Sequence, residues 1–183
     1  MVSHRQRHKA FLDQHVKDAA GEYHYIGDWY CLRGGNAALL PFLAAVALAG
    51  AVIVACGCIT ATGLKNTWYV IFSYIFEISL LFALVWQAAR LAGGRGRLKA
   101  FVFEDVSPRV RPLCMGLALA AALSMVCSTV FLCANGPDGS LTACVGFFLL
   151  QALTAAASWF ARRSYGRLEW TKQSSQTPAE PME

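Results

Sequence analysis

Charged residues and histidines are scarce in this sequence, and their scarcity excludes several classes of protein. Charged side chains make up 15% of the 183 residues, well below the roughly one quarter that is usual in soluble domains. All four histidines precede the first apolar run, so no histidine within a run is available to ligate haem or to activate a serine. Neither a Gly-x-Ser-x-Gly elbow nor a Gly-rich phosphate loop occurs. The sequence therefore predicts a protein without enzymatic activity.

The cysteines do not form a metal-binding pattern either. There are seven, but no Cys-x-x-Cys pair is present and no histidine lies beside a cysteine, so neither a metal nor a cofactor is expected. His4 and His8 have a helical spacing that suits a metal, although solvated side chains in a frayed terminus are the favoured interpretation. The basic residues behind the net charge of +5 flank apolar runs and do not form a groove with stacking aromatics, which argues against nucleic acid.

Four apolar runs are long enough to cross a bilayer. A hydrocarbon core of about 30 Å needs roughly 20 mostly apolar residues in a helix. The predicted fold class is therefore an all-α membrane protein, a bundle of four transmembrane helices in a membrane domain at residues 37–162. The spans are placed at residues 37–60, 68–90, 112–134 and 141–161.

The polar segments beside the runs have three different predictions. Residues 1–36 form an N-terminal segment, with room for a short surface helix whose aromatic rings lie at the headgroup level. Residues 90–111 form a basic connector, in which residues 93–96, Gly-Gly-Arg-Gly, suggest a flexible linker near anionic lipid. Residues 163–183 are rich in Ser, Gln, Thr, Pro and Glu and are predicted to be a disordered tail.

Lysine and arginine are distributed unevenly around the four runs. The N-terminal segment, the middle connector and the C-terminal tail contain 15 of the 16, and only Lys65 lies in a loop on the other side. The positive-inside rule then places both termini in the cytosol and leaves short outer loops. The expected location is an integral, multi-pass position in the plasma membrane or in endosomal and secretory membranes.

The second run contains one acid, Glu77, close to its centre. A charged acid at mid-bilayer costs roughly 2.5–3.5 kcal/mol on insertion scales, so Glu77 is predicted to face other helices or a partner protein's span. A proton relay would need a second titratable group in the membrane, and the apolar spans offer none. A packing or partner role is therefore favoured over transport. Candidate hydrogen-bond partners within the chain are Ser73, Ser124, Ser128, Gln151 and Thr154.

Small residues recur at every fourth position of the first run, at Ala47, Ala51 and Ala55. Small side chains at this spacing allow helix backbones to approach closely, which is how helices associate in lipid. We predict that this face contacts another helix, either within the bundle or on a partner.

Four of the cysteines have positions that suggest modification. Cys31 and Cys114 lie near the predicted cytosolic interface, where palmitoylation is possible. Cys133 and Cys144 flank the second outer turn, where an oxidising compartment permits a disulfide. Both lie inside the predicted spans, so two buried thiols are an equal alternative.

Several segments together resemble a known family. The second span contains Tyr69-Val70-Ile71 and Phe76-Glu77-Ile78-Ser79, and the acidic pair Glu104-Asp105 precedes the third span. The fourth span, VGFFLLQALTAAASWFARRSYG, is apolar and rich in small residues, and it ends in aromatic and basic residues. Over residues 67–166 the chain resembles MARVEL-domain tetraspans, most of all the chemokine-like factor (CKLF-like MARVEL transmembrane domain-containing) family.

The resemblance implies a non-enzymatic role. Such proteins are associated with membrane trafficking, with lateral organisation of the membrane and with binding of other membrane proteins through their spans. Some members are linked to immune or cytokine-like signalling. The expected partners are membrane lipids, other transmembrane proteins and, in a homo-oligomer, further copies of the chain. The alternative is a small transporter, channel or accessory subunit in which Glu77 lines a polar path.

Overall fold

A computed structural model describes residues 15–17, 23–59, 67–136 and 141–174. Within these ranges lie four long helices, each apolar and long enough to cross a membrane. The prediction of four helices with the length and apolar composition of a membrane span is confirmed. The helices are α1 (Leu40–Cys58), α2 (Trp68–Gly93), α3 (Ala100–Asn135) and α4 (Leu141–Gly166).

The helices do not pack in the order in which they follow one another along the chain. α1 packs chiefly against α4, α4 against α3 and α3 against α2, whereas α1 and α2 touch over a much smaller area. The last helix thus holds the first in the bundle. Large apolar side chains on the outer faces stay exposed, which is expected where lipid is the solvent. They include Trp68, Phe72, Phe82, Trp86 and Leu149.

The connector between α2 and α3 is ordered, so the prediction of a flexible linker is wrong. A turn follows α2 at residues 94–96, strand β4 follows at Arg97–Lys99, and α3 begins at Ala100. Gly96 has a φ of +83°, and a Cβ there would lie 3.2 Å from the Cα of Gly35. Glycine is required at this position because two backbones meet in a left-handed turn.

Helix α3 begins twelve residues earlier than the predicted start at residue 112 and includes Pro108 and Pro112. A proline inside a helix leaves the carbonyl four residues earlier without its donor. Here those carbonyls belong to Glu104 and Pro108, both exposed, where water can hydrogen-bond to them. Asp105 anchors the extension, since its carboxylate lies 2.7 Å from Arg90 Nη1 and 2.6 Å from Arg109 Nη2.

A three-stranded antiparallel sheet lies at the end of the bundle where α2 and α4 finish, which we call the sheet end. The central strand β3 (Trp29–Leu32) pairs with β4 on one side and with β5 (Trp170–Gln173) on the other. Two further short strands, β1 (His15–Lys17) and β2 (Tyr23–Tyr25), pair with each other.

This sheet overturns two predictions about the terminal segments. The described part of residues 1–36 forms strands and a short 3₁₀ turn at Gly35–Leu39, not a surface helix. Residues 163–173 were predicted to be disordered, but α4 continues to Gly166 and β5 follows. The physical reason is backbone pairing. The N-terminal strand β3 and the C-terminal strand β5 each supply the hydrogen-bond donors and acceptors that the other leaves unpaired.

Aromatic stacking attaches the sheet to α3. The Tyr30 and Phe103 rings are stacked with centroids 4.2 Å apart, and the Trp170 ring lies 5.0 Å from Phe103. The Ala100 N–H, at the start of α3, donates to the carbonyl of Asp28 at 3.0 Å. Strands from three distant parts of the chain are thereby held on one helix.

An ion pair between β5 and the residue before β3 adds to this attachment. Lys172 Nζ lies 2.6 Å from Asp28 Oδ2, and this hydrogen bond lowers the pKa of Asp28 below 3.8. The same contact raises the pKa of Lys172 above 10.5. The stabilisation from Asp28 is therefore present above its unfolded pKa and is lost as the pH falls through its folded pKa. That from Lys172 is present below its unfolded pKa and is lost as the pH rises through its folded pKa.

Candidate functional site: a buried polar cluster around Glu77

Glu77 lies in the bundle interior and joins three helices. Its side chain is 0% exposed. One carboxylate oxygen, Oε2, accepts hydrogen bonds from Ser124 Oγ on α3 at 3.2 Å and from Gln151 Nε2 on α4 at 3.1 Å. Two of the five partners named from the sequence therefore bind Glu77. Both donors are neutral, so neither supplies a positive charge to the carboxyl group.

The other three candidates share these inward faces without bonding to Glu77. Ser73 donates to the carbonyl of Val70 at 2.8 Å, and Thr154 donates to that of Leu150 at 3.2 Å, so each is satisfied by its own helix. Ser128 is fully buried, and its hydroxyl has no hydrogen-bond partner among the described residues.

Two acceptor oxygens in the cluster also have no partner within the described part of the chain. They are Oε1 of Glu77 and Oε1 of Gln151. A buried polar atom without a partner costs roughly 1–3 kcal/mol, so these oxygens are sites where a water or a proton donor would be favourable. The cluster therefore ties three helices together and leaves two buried acceptor oxygens without a partner in the described chain.

Sequence reasoning missed two buried polar residues, Gln87 on α2 and Ser158 on α4. Ser158 follows Gln151 by seven residues, so the helical period places both on one face and was a usable signal. Gln87 lies ten residues after Glu77, about 80° around α2, at the edge of the same inward face. It lies three residues after the buried Leu84 and four before the buried Leu91, so the helical period was a usable signal here too.

Tyr74 makes the polar contact between α1 and α2. Its hydroxyl donates to the carbonyl of Ile53 at 2.7 Å. Gly57 leaves room for this hydroxyl, since a Cβ at Gly57 would collide with it. Gly50, about two turns earlier on α1, has no such constraint, because a Cβ there would make ordinary contacts with Leu81 at 3.7–3.8 Å.

We therefore expect Gly57→Ala to destabilise the bundle by about 1–3 kcal/mol, the usual cost of overpacking. Gly50→Ala is the matched control and is expected to leave stability unchanged or to raise it. Adding Tyr74→Phe should relieve most of the Gly57→Ala defect, because it removes the colliding oxygen. Thermal unfolding in detergent measures all three, and equal melting temperatures for the two alanine variants would contradict the prediction.

The face formed by Ala47, Ala51 and Ala55 is exposed and points away from the bundle. The prediction that it packs within the bundle is wrong. α1 turns a different face inward, which includes Ala45 and Ala49. Because α1 is apolar on every side, its own pattern could not indicate which face would be buried. Contact with a partner's span remains a prediction.

The cysteines divide by exposure. Cys114 is 0% exposed, so the palmitoylation predicted for it conflicts with the packing of α3. Cys31 is half-buried in β3, where its Sγ donates to Oε1 of Gln173 at 3.2 Å, and its palmitoylation remains a prediction. Cys133 is exposed as a thiol and Cys144 is buried on α4, so the two sulfurs are not joined as a disulfide.

Among the described residues, no group of three or more His, Cys, Asp or Glu side chains is arranged to hold a metal ion. Comparison of the chain with protein-family models, with curated proteins and with solved structures yields no match. The four long apolar helices are compatible with an integral, multi-pass membrane protein.

Proposed function

We propose that this chain is a non-enzymatic four-span membrane protein that organises or traffics membrane by binding other membrane proteins through its spans. The resemblance to MARVEL-domain tetraspans implies the same class. The observation that carries the proposal is the separation of polar and apolar chemistry. Glu77 and its two donors are enclosed by three helices, whereas the outer faces of those helices are apolar.

This separation assigns different roles to Glu77 and to the small-residue face of α1, the two contact features predicted from the sequence. Glu77 acts inside the bundle, where it holds α2, α3 and α4 in register. Partner binding then belongs to the outer surface. The face at Ala47, Ala51 and Ala55 is suited to it, because exposed small side chains allow a second helix to approach closely.

The test compares affinity purifications from mild detergent with proteomic readout. The combined change Ala47→Leu and Ala51→Leu is expected to reduce recovery of a specific transmembrane partner roughly tenfold, equivalent to about 1.4 kcal/mol. Ala89→Leu, an exposed alanine on α2, is the matched control and should leave recovery unchanged. Surface staining checks that every form reaches the same membrane. Identical partner sets for the control and the double variant would count against the proposal.

A second candidate function is supported by the convergence of polar side chains on Glu77 from three helices, with acceptor oxygens that lack a partner in the described chain. It is a small transporter, channel or accessory subunit with Glu77 on a polar path. Proton flux into proteoliposomes distinguishes the two. Flux that the wild type supports and Glu77→Gln abolishes would establish the second candidate, and flux equal to that of protein-free liposomes would remove it.

A further inference from the structure

A pocket of about 420 Å³ opens between α3 and α4 at the sheet end, and arginines dominate its lining. We call it the arginine pocket. α3 contributes one arginine and α4 contributes two, together with a tryptophan and the glycine that ends the helix. Its lining residues are Arg111, Trp159, Arg162, Arg163 and Gly166.

Among the residues that the structure describes, no acid forms an ion pair with an arginine of the pocket. The ion pairs among the described residues use Asp28, Asp105 and Glu169, and none of them includes an arginine of the pocket. The lining residues in the described part of the chain include no acidic side chain. Three positive charges from two adjacent helices therefore face one concave space without a counter-charge from the described chain, which makes the pocket a place of positive potential.

Gly166 keeps the pocket open. A Cβ at this position would lie 3.5 Å from Nη2 of Arg111, so any larger side chain would project into the space in front of that guanidinium. The absence of a side chain leaves the Arg111 nitrogens accessible to a ligand.

The pocket lies where apolar surface gives way to charge. Trp159 and Phe160 are exposed on α4, and Arg162 follows within one turn. The Arg162 guanidinium lies 5.3 Å from the Trp159 ring centroid, and its Nη1 lies 3.5 Å from the sulfur of Met115. An exposed tryptophan followed by arginines is typical of the headgroup level of a membrane. A ligand that matches this position is anionic at one end and apolar beside it.

A second, apolar groove supplies the apolar part of such a site. It has a volume of about 360 Å³, lies between α1 and α4, and borders Phe160, which is adjacent in sequence to Trp159 of the arginine pocket. Its α4 residues, Ala156, Ala157 and Phe160, precede most of those of the arginine pocket, so it lies about one helical turn deeper in the bundle. The outward face of α4 therefore has the charged pocket on its α3 flank and the apolar groove on its α1 flank.

We infer that the arginine pocket binds the phosphate of an anionic phospholipid headgroup, with the lipid's acyl chains lying along the apolar surface beside Trp159 and Phe160. Arginine suits this role because its planar fork of donors matches phosphate geometry. The positive-inside distribution predicts that this end faces the cytosolic leaflet, where anionic lipids are concentrated. The inference does not depend on the function proposed above.

The test uses purified full-length protein in nanodiscs of phosphatidylcholine that contain a minor share of phosphatidylinositol 4-phosphate, with retained lipid counted by native mass spectrometry. The wild type is expected to retain the phosphorylated lipid in preference to phosphatidylcholine. Each lost arginine should weaken retention roughly fivefold, so Arg111→Gln with Arg163→Gln should weaken it about 25-fold. Arg97→Gln is the matched control, an exposed arginine of the sheet end outside the pocket, and should change retention less than about twofold.

Gly166→Leu separates a pocket from diffuse attraction. It keeps all three charges and fills the space before Arg111, so it should lower retention as strongly as a lost arginine. It also supports the test if the double arginine variant does not fold. Equal losses for Arg97→Gln and Arg163→Gln would overturn the inference, and so would full retention by Gly166→Leu. Inorganic phosphate that stabilises the protein against heat as well as the lipid does would also overturn it, because the site would then be a simple anion site.

Discussion

Glu77→Leu is expected to lower the free energy of unfolding by about 1–3 kcal/mol, because it leaves buried donors without their acceptor. Gln151 suffers most, since its Nε2 loses Glu77 and its Oε1 has no described partner to begin with. Ser124 loses its hydrogen bond to Glu77, but its hydroxyl can rotate to donate to a carbonyl of its own helix. Unfolding in mixed detergent micelles, followed by circular dichroism, measures the change.

Glu77→Gln is the matched control for this experiment. Its amide oxygen still accepts a hydrogen bond from Gln151 or Ser124, so we expect it to cost less than about 1 kcal/mol. A loss as large as that of Glu77→Leu would mean that the carboxylate contributes through its charge and not through the two hydrogen bonds. The pair of variants therefore distinguishes a bonding role from an ionic one.

A double-mutant cycle tests the contact between Glu77 and Gln151 directly. Glu77→Leu and Gln151→Leu combined should cost less than the sum of the two single changes, by about 1 kcal/mol, since the second change removes the group that the first leaves unpaired. Additivity to within about 0.3 kcal/mol would show that the two side chains are not coupled. Coupling would establish the cluster as the tie between α2 and α4.

Trp170→Ala should release β5 and expose the central strand at a cost of about 2 kcal/mol, less than for a fully buried tryptophan because this ring is only half-buried. The ring packs on Phe103, which in turn stacks on Tyr30. Once β5 detaches, one edge of β3 loses its hydrogen-bond partner. Hydrogen exchange of the β3 amides reads this out locally, while the amides in the middle of the four helices should be unaffected.

Trp170→Phe and Lys172→Gln are the controls for the sheet. Phenylalanine keeps a ring against Phe103 and loses no hydrogen bond, because the indole Nε1 has no partner among the described residues. Lys172→Gln removes the ion pair to Asp28 but leaves the ring in place, and exposed pairs contribute little. Exchange of β3 that rises equally in all three variants would show that the aromatic packing is not what holds β5.

The MARVEL resemblance, the cytosolic termini and the binding of other membrane proteins through the spans remain predictions. The structure changes how this binding is tested, because it moves the expected partner contact from Glu77 to the outer face of α1. A loss of partner proteins in Glu77→Leu is therefore not evidence that Glu77 itself contacts a partner, because the same change lowers the stability of the bundle.

The sequence by itself determined that four helices in the described ranges are long and apolar enough to span a membrane, together with their approximate positions, because apolar length is a local property of the chain. It also supplied a short set of polar residues that contained both partners of Glu77, since only a few polar side chains occur in the apolar runs.

Only the tertiary structure decided which faces meet and what the terminal segments do. α1 is apolar all round, so its inward face depends on α4 and not on its own pattern. The three-stranded sheet joins residues 29–32, 97–99 and 170–173, each too short to form a strand alone. The arginine pocket likewise combines one arginine from α3 with two from α4. These arginines are too far apart along the chain for a local sequence pattern to indicate the pocket, and only the packing of α3 against α4 brings them together.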